Sequence, residues 1–263
     1  MARSMGFPGL RASWENGVSR QRAGNDASQS SAESALLEAI IPELYCASGL
    51  AAEGKIAQAA GIPVVVGGGH RERTTALVDA MALRAKCLVS FGVAGGLAPG
   101  LRAGSLVLSG DVISEDQRWC VERSFRERIG GLAREIGAVE GPVLGAASVL
   151  ATPVEKARAW RKTGALVVDL ESAVVARAAD AAGIPFIVLR AVADPATRKL
   201  PPAALIPLSA RGTPELRRIL AAILRRPQQI PGLIGVARET RRALAALAGS
   251  ARALGAFGSS GIG

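Results

Sequence analysis

Two carboxylates, Glu171 and Asp194, end a pair of apolar runs whose spacing would bring them together. The first run, residues 165–168, leads into Asp169 and Glu171; an alanine-rich stretch follows and stops at Gly183; a second run, residues 186–189, passes through Arg190 to Asp194-Pro195. This reads as strand, helix, strand. Strands joined by one helix are normally parallel, because the helix returns the chain to its starting edge. Glu171 and Asp194 are then expected at one C-terminal sheet edge, where open α/β sheets bind ligands. The pattern by itself assigns neither acid a task. Glu171 also suits the first turn of a helix, where the dipole favours a negative charge. Asp194 also suits the start of a turn, and Asp169 a helix cap.

Three other features fall just after strand-like runs. Glu53 follows the run 44–48. Gly67, Gly68 and Gly69 follow the run 62–66, and Gly92–Gly96 follow 87–91. The triple glycine offers free backbone N–H groups and positive-φ freedom, which suits phosphate or another anion, with a tight turn as the alternative. Gly92-Val-Ala-Gly-Gly96 would let backbone approach a flat ligand, yet it lacks the glycine spacing of the dinucleotide fingerprint, and no P-loop occurs. His70 is the only histidine. A His-rich metal site is therefore excluded, as is a Ser-His-Asp triad built elsewhere. His70 itself reads as an exposed loop residue, with a phosphate or sugar contact as the alternative.

These residues need a scaffold, and the pattern supplies one. Alternating strand-like and helix-like segments predict an α/β fold, with a mostly parallel sheet and helices on both faces. At 263 residues and 49% hydrophobic, the chain can bury a substantial core. Aromatics are only 3%, which argues against a stacking surface for single-stranded nucleic acid. Residues 1–34 are polar and aperiodic and read as a disordered extension. The α/β domain is placed at 36–212, basic helices at 213–254 packing on or extending it, and a flexible tail at 255–263. The net charge of +10 is concentrated late: from residue 211 onward nine arginines stand against two glutamates, a net +7. That end reads as a solvated helical face or as a contact for anionic membrane; no recognition motif for nucleic acid accompanies it. Cys46, Cys87 and Cys120 are widely spaced, and the first two lie in apolar runs, as in a reduced, cytoplasmic protein. No run is long and apolar enough to span a membrane, and no signal-peptide core is seen.

Several segments together resemble a known family. Val168-Asp-Leu-Glu-Ser-Ala-Val-Val-Ala176 looks like the Val-Asp-Met-Glu-(Ser/Gly)-Ala-Ala motif of the purine nucleoside phosphorylase and methylthioadenosine nucleosidase superfamily. Leu189-Arg-Ala-Val-Ala-Asp194 resembles its Arg-x-(Ile/Val)-Ser-Asp motif, and residues 90–104 resemble its Gly-x-Ala-Gly-Gly-Leu loop. The segments 48–57 and 194–204, the triple glycine and the arginine-rich end look most like the hopanoid-biosynthesis-associated branch.

The resemblance, which spans roughly 43–250, implies a three-layer sandwich: a mostly parallel mixed central sheet flanked by helices, with a helical C-terminal tail. It also implies cleavage of a purine N-glycosidic bond through an oxocarbenium-like transition state. By that likeness Asp194 is the acid near purine N7, Glu53 orients or deprotonates the attacking water, and Glu171 with Leu170 binds the ribose. Val93, Ala94, Gly95, Gly96, Leu150, Ala151 and Ala193 line the base. If phosphate attacks instead of water, Gly67, Gly68, Gly69 and Arg71 would bind it. No metal or other cofactor is implied. A homo-oligomer is expected, since relatives form dimers, trimers or hexamers.

The implied substrate is a 5′-substituted adenosine, most specifically adenosylhopane, in a cytoplasmic enzyme that touches anionic membrane through its basic helices. A methylthioadenosine or adenosylhomocysteine nucleosidase, a general purine nucleoside phosphorylase, and a basic membrane-surface protein on a degenerate nucleosidase fold are the alternatives. The chain departs from the family pattern at Leu170 for Met, Ala193 for Ser and Ser105 for Asp, and no aromatic ring occurs in 148–152.

Overall fold

The computed structural model describes residues 43–259. The first half contains β1 (Leu44–Ser48), α1 (Ala51–Ala59), β2 (Val64–Val66), α2 (Arg71–Ala82), β3 (Cys87–Gly96), β4 (Leu106–Ser109), β5 (Asp111–Ile113) and β6 (Arg118–Cys120). It continues with α3 (Arg123–Ile136), β7 (Val139–Glu140), β8 (Val143–Gly145), α4 (Pro153–Thr163), β9 (Val167–Asp169), α5 (Ser172–Ala182) and β10 (Phe186–Asp194). Two helices close the described chain, α6 (Leu216–Arg225) and α7 (Ile230–Ser259). The α/β expectation holds: a mixed sheet of ten strands, in the order β6-β5-β8-β9-β3-β10-β4-β7, carries helices packed against it, and β1 and β2 branch from β3.

The sheet curls. The apolar segment 105–113 forms two strands, not one. β4 pairs with β10 and β5 with β8, at opposite ends of the strand order. Gly110 is the joint, and a side chain there would collide with that of Val121.

β3 organises everything else. It is ten residues long and almost wholly buried. β10 runs parallel along one of its edges from Leu88 to Gly95. The other edge is shared: β1 pairs in parallel with Cys87–Ser90, and β9 pairs antiparallel with Gly95 and Gly96. This corrects the sequence reading of 164–194. β9 runs antiparallel to β3 and hence opposite to β10, so the helix between them does not make a parallel pair.

The core is built from β3, β10, α5 and the C-terminal helix. Val89, Phe91, Ile187 and Leu189 are fully buried beside Val175 and Ala179 of α5 and Leu247 and Leu254 of α7. α7 reaches Ser259, five residues beyond the helix end expected at 254. The extension expected at residues 1–34 lies outside the described residues. Cys46 and Cys87 are buried, which pushes both thiols above the ordinary cysteine range, whereas Cys120 is exposed at the end of β6.

Candidate active site

The shared edge of β3 contains a gap. β1 has ended beside Ser90 and β9 ends beside Gly95, so the backbone between them has no strand partner on that side. Side chains that follow the two strand ends fill the need. Ser48 Oγ donates to Phe91 O at 2.8 Å. Val93 N donates to Glu53 Oε1 at 2.7 Å. The other Glu53 oxygen accepts from Gly49 N (3.0 Å) and Leu50 N (2.8 Å), at the start of α1. A carboxylate at a helix N-terminus is favoured by the dipole. Glu53 is nevertheless buried, and burial, which disfavours the charged form, raises its pKa to about 7 even though Arg190 pulls the other way.

From the opposite end, β9 delivers Asp169 and then Glu171. Asp169 Oδ1 accepts from the backbone N–H groups of Glu171 (3.0 Å) and Ser172 (2.8 Å), the capping role read from sequence. Arg190, on β10 across from Gly92, reaches through the sheet to tie these acids together. Its Nη2 donates to Ser90 Oγ (2.6 Å) and to Glu171 Oε2 (3.2 Å). Its Nε lies 2.7 Å from Asp169 Oδ2 as an ion pair, though the N–H is not aligned for a hydrogen bond. Three carboxylates, Glu53, Asp169 and Glu171, thus surround one fully buried guanidinium. Burial raises the Glu171 pKa, against the pull of Arg190. Arg190 stays charged, because the three acids outweigh its desolvation.

Asp194 approaches from β10. The register slips between Val192 and Asp194, which pair with Ala94 and Gly95, leaving Ala193 as the extra residue of a bulge. A side chain at Gly95 would sit 3.2 Å from Asp194 Oδ2, so the glycine lets the acid lie against β3. Lys156 of α4, fully buried, holds Asp194: its Nζ donates to Oδ2 at 2.5 Å, and carbonyls of Asp194 (3.1 Å), Pro195 (3.0 Å) and Arg198 (3.3 Å) also surround it. Burial raises the Asp194 pKa above the ordinary range, with the Lys156 charge opposing it.

Glu53, Glu171 and Asp194 line a single cavity of about 200 Å³, together with Leu170, Val93, Ala94, Gly95, Leu150 and Gly69. Gly49, Leu50, Ser148, Val149, Val168, Asp169 and Leu208 complete its wall.

Other expected site residues lie elsewhere. Ala193 is buried in the core, and Gly96 packs against Val192 and Pro195. Ala151 N donates to Glu155 Oε2, part of the capping box that starts α4. The proposed anion set is not brought together either. Gly67 N is engaged with Ser48 O, Gly68 abuts the Ser209–Ala210 backbone, and Arg71 is exposed at the start of α2; only Gly69 reaches the cavity. His70 is exposed, its Nε2 3.2 Å from Leu208 O.

Lys156 was missed altogether, and Arg190 was noted without a role. The only local signal for Lys156 was its place one residue after Glu155 in the capping box Thr152-Pro-Val-Glu155, a position that ordinarily faces solvent. Among the described residues no group of three His, Cys, Asp or Glu side chains is placed to hold a metal ion.

Comparison with known proteins gives the family. The sequence profile of the phosphorylase superfamily matches residues 47–225, which include Glu53, Asp169, Glu171 and Asp194. The chain belongs to the phosphorylase superfamily, a group of nucleoside-cleaving enzymes. No curated protein sequence matches it.

Among solved structures, the superfamily member described here is similar to the 5′-methylthioadenosine/S-adenosylhomocysteine nucleosidase of Neisseria meningitidis in complex with methylthio-immucillin-A. The identity is 16%, the TM-score 0.60, and the match covers 81% of this chain and 98% of that one. It is similar to futalosine hydrolase of Helicobacter pylori at 17% identity and TM-score 0.56, covering 70% and 99%. The Helicobacter pylori methylthioadenosine/adenosylhomocysteine nucleosidase with butyl-thio-DADMe-Immucillin-A matches at 14% and 0.57, covering 82% and 97%. At these identities the likeness is one of fold.

Proposed function

We propose that this superfamily member hydrolyses the N-glycosidic bond of a 5′-substituted adenosine. The observation that carries the reading is the convergence of Glu53, Glu171 and Asp194, from three separate elements, on one small cavity. In this reaction Asp194 gives its proton to purine N7. The C1′–N9 bond then breaks with its electron pair leaving on the base. Glu171 accepts hydrogen bonds from the ribose hydroxyls, and its negative charge favours the cationic sugar. A water adds to C1′ and passes its proton to Glu53, whose pKa of about 7 suits a base working near neutrality. Val93, Ala94 and Gly95 offer backbone and small side chains against the flat base.

Water is favoured over phosphate, because Glu53 reaches the cavity while Arg71 and two of the three glycines do not. Within this class the sequence resemblance nominates adenosylhopane, giving adenine and ribosylhopane. Peripheral contact of the basic C-terminal helices with anionic membrane and a homo-oligomeric state belong to the same reading. A methylthioadenosine or adenosylhomocysteine nucleosidase is the second reading, favoured by the nucleosidase folds that the chain resembles. Adenine release from adenosylhopane and from methylthioadenosine, each with and without phosphate, tests all of this. Phosphate-independent release of adenine, faster from adenosylhopane, is expected. Release that requires phosphate would overturn the hydrolytic step, and faster turnover of methylthioadenosine would overturn the substrate.

A further inference from the structure

Three of the exposed large hydrophobic side chains among the described residues lie together on α6. Leu216, Leu220 and Leu224 are 73%, 57% and 75% exposed. At a spacing of four they lie along one line of the helix. No residue of α6 is buried; Ile219, Ala222 and Ile223 are half-buried and supply its contact with the rest of the chain. The remaining face is cationic, with Arg217, Arg218 and Arg225 on the helix and Arg211 and Arg226 beside it, all exposed, against Glu215 alone. Two more exposed apolar residues, Ile230 and Ile234, begin α7 just after it.

Leucines on one side and arginines on the other describe a helix that lies in the interface of a membrane. The apolar side sinks to the acyl boundary while long cationic side chains stay with the headgroups. We propose that α6 docks this protein on an anionic lipid surface, with Leu216, Leu220 and Leu224 as the inserted face. Charge decides the occupant. A second copy would bring a like set of arginines against the first, and like charges oppose that pairing, whereas an anionic headgroup layer attracts each arginine that nears it.

The placement is also specific. The segment before α6 is pinned to the cavity rim: Leu208 is in the cavity wall, Gly212 O accepts from Ala51 N at 3.0 Å, and four residues later α6 begins. α6 therefore begins within a few residues of the segment that forms the cavity rim. The inference deepens the membrane contact of the proposed function but does not depend on the reaction.

The test is vesicle co-sedimentation of the full chain. Vesicles of phosphatidylcholine alone are compared with vesicles that also contain phosphatidylglycerol, at low and high salt, with Leu216→Ser/Leu220→Ser/Leu224→Ser and Arg217→Glu/Arg218→Glu as variants. The expected result is binding to the anionic vesicles only, weakened by salt and reduced about tenfold or more by either variant. Thermal melts and circular dichroism should match the parent, since no replaced side chain is buried. The proposal is overturned by equal binding to both vesicles, by no binding, or by binding that the leucine variant leaves intact. It is equally overturned if the leucine variant splits a dimer that binds no vesicle, which would assign the face to a second copy. Binding is read without turnover, so a failed hydrolase reading and a failed docking reading are told apart.

Discussion

In the proposed reaction Lys156 and Asp194 set the terms on which a proton is offered to the leaving base. The lysine charge stabilises the carboxylate, so its removal raises the Asp194 pKa beyond what burial already does. Lys156→Met is expected to move the alkaline limb of the kcat profile to higher pH and to lower kcat more than it changes KM, because the carboxyl loses the group that fixes its rotamer. Lys156→Arg, which keeps the charge, should leave the limb nearer its original position. Asp194→Asn removes the proton altogether and is expected to cut adenine release by about 10²–10⁴-fold. In the proposed reaction Glu53 acts at the other limb. It must be ionised to take a proton from water, so kcat/KM should rise with pH through about 7.

The same shift has a sign in stability. Folded Glu53 keeps its proton to about 7, against an ordinary 4.5. Its contribution is intact below the ordinary value and is lost as pH rises through the folded one. Melts at about pH 5 and about pH 8 should show the drop, and Glu53→Gln should shrink it. The three acids were legible in the chain, because each follows a strand-like run and sits in a family motif. Lys156 was not legible, because nothing local distinguishes a helix lysine that turns inward from one that faces water. Its burial is decided by oxygens about 40 positions away, on the chain that leaves β10.

At the scale of elements, the site exists because β1 and β9 stop short of each other along one edge of β3. The unpaired stretch is where Glu53 substitutes for a strand and where Arg190 passes beneath. Gly92 is the narrowest point: a Cβ there would meet Arg190 Nη1 at 2.6 Å and Glu53 Cδ at 2.7 Å. Gly92→Ala should therefore displace both charged groups at once, lowering stability by about 1–3 kcal/mol in thermal or denaturant unfolding and suppressing adenine release.

The alternation of strands and helices, and the placement of most of them, could be read from apolar runs and glycine stops. The direction of β9 could not. Its three residues pair at the far end of β3, and nothing within 164–194 records that the partner edge is already occupied by β1. Glu171 and Asp194 still meet, by a route the rule of parallel crossovers does not describe: Val168 and Asp194 flank the same residue, Gly95, from opposite sides. The division of 105–113 was hidden for a similar reason, since both halves are strand and only the curl of the sheet separates them.

At the scale of the molecule, α7 belongs to the central core even though the chain around it is the most basic part. Ala243, Leu247, Ala251 and Leu254 are buried against the sheet, while its arginines face outward, and Glu239 holds Arg198 in an ion pair just past the Asp194 strand. Leu247→Ala should cost about 2–5 kcal/mol, read as a lowered unfolding midpoint, because the cavity it leaves lies among side chains with no freedom to collapse. The polar and charged residues of the cavity and the arginines of α6 are thus carried by one packed unit.

The three cysteines give that unit a practical property. Two are sealed inside with suppressed ionisation, and Cys120 stands in the open at the end of β6, 3.4 Å from Asp111 Oδ1. A maleimide fluorophore would therefore attach at one position in the unaltered protein. Collisional quenchers placed at graded depths in a bilayer would then report how the molecule tilts when it settles there, without a single engineered residue.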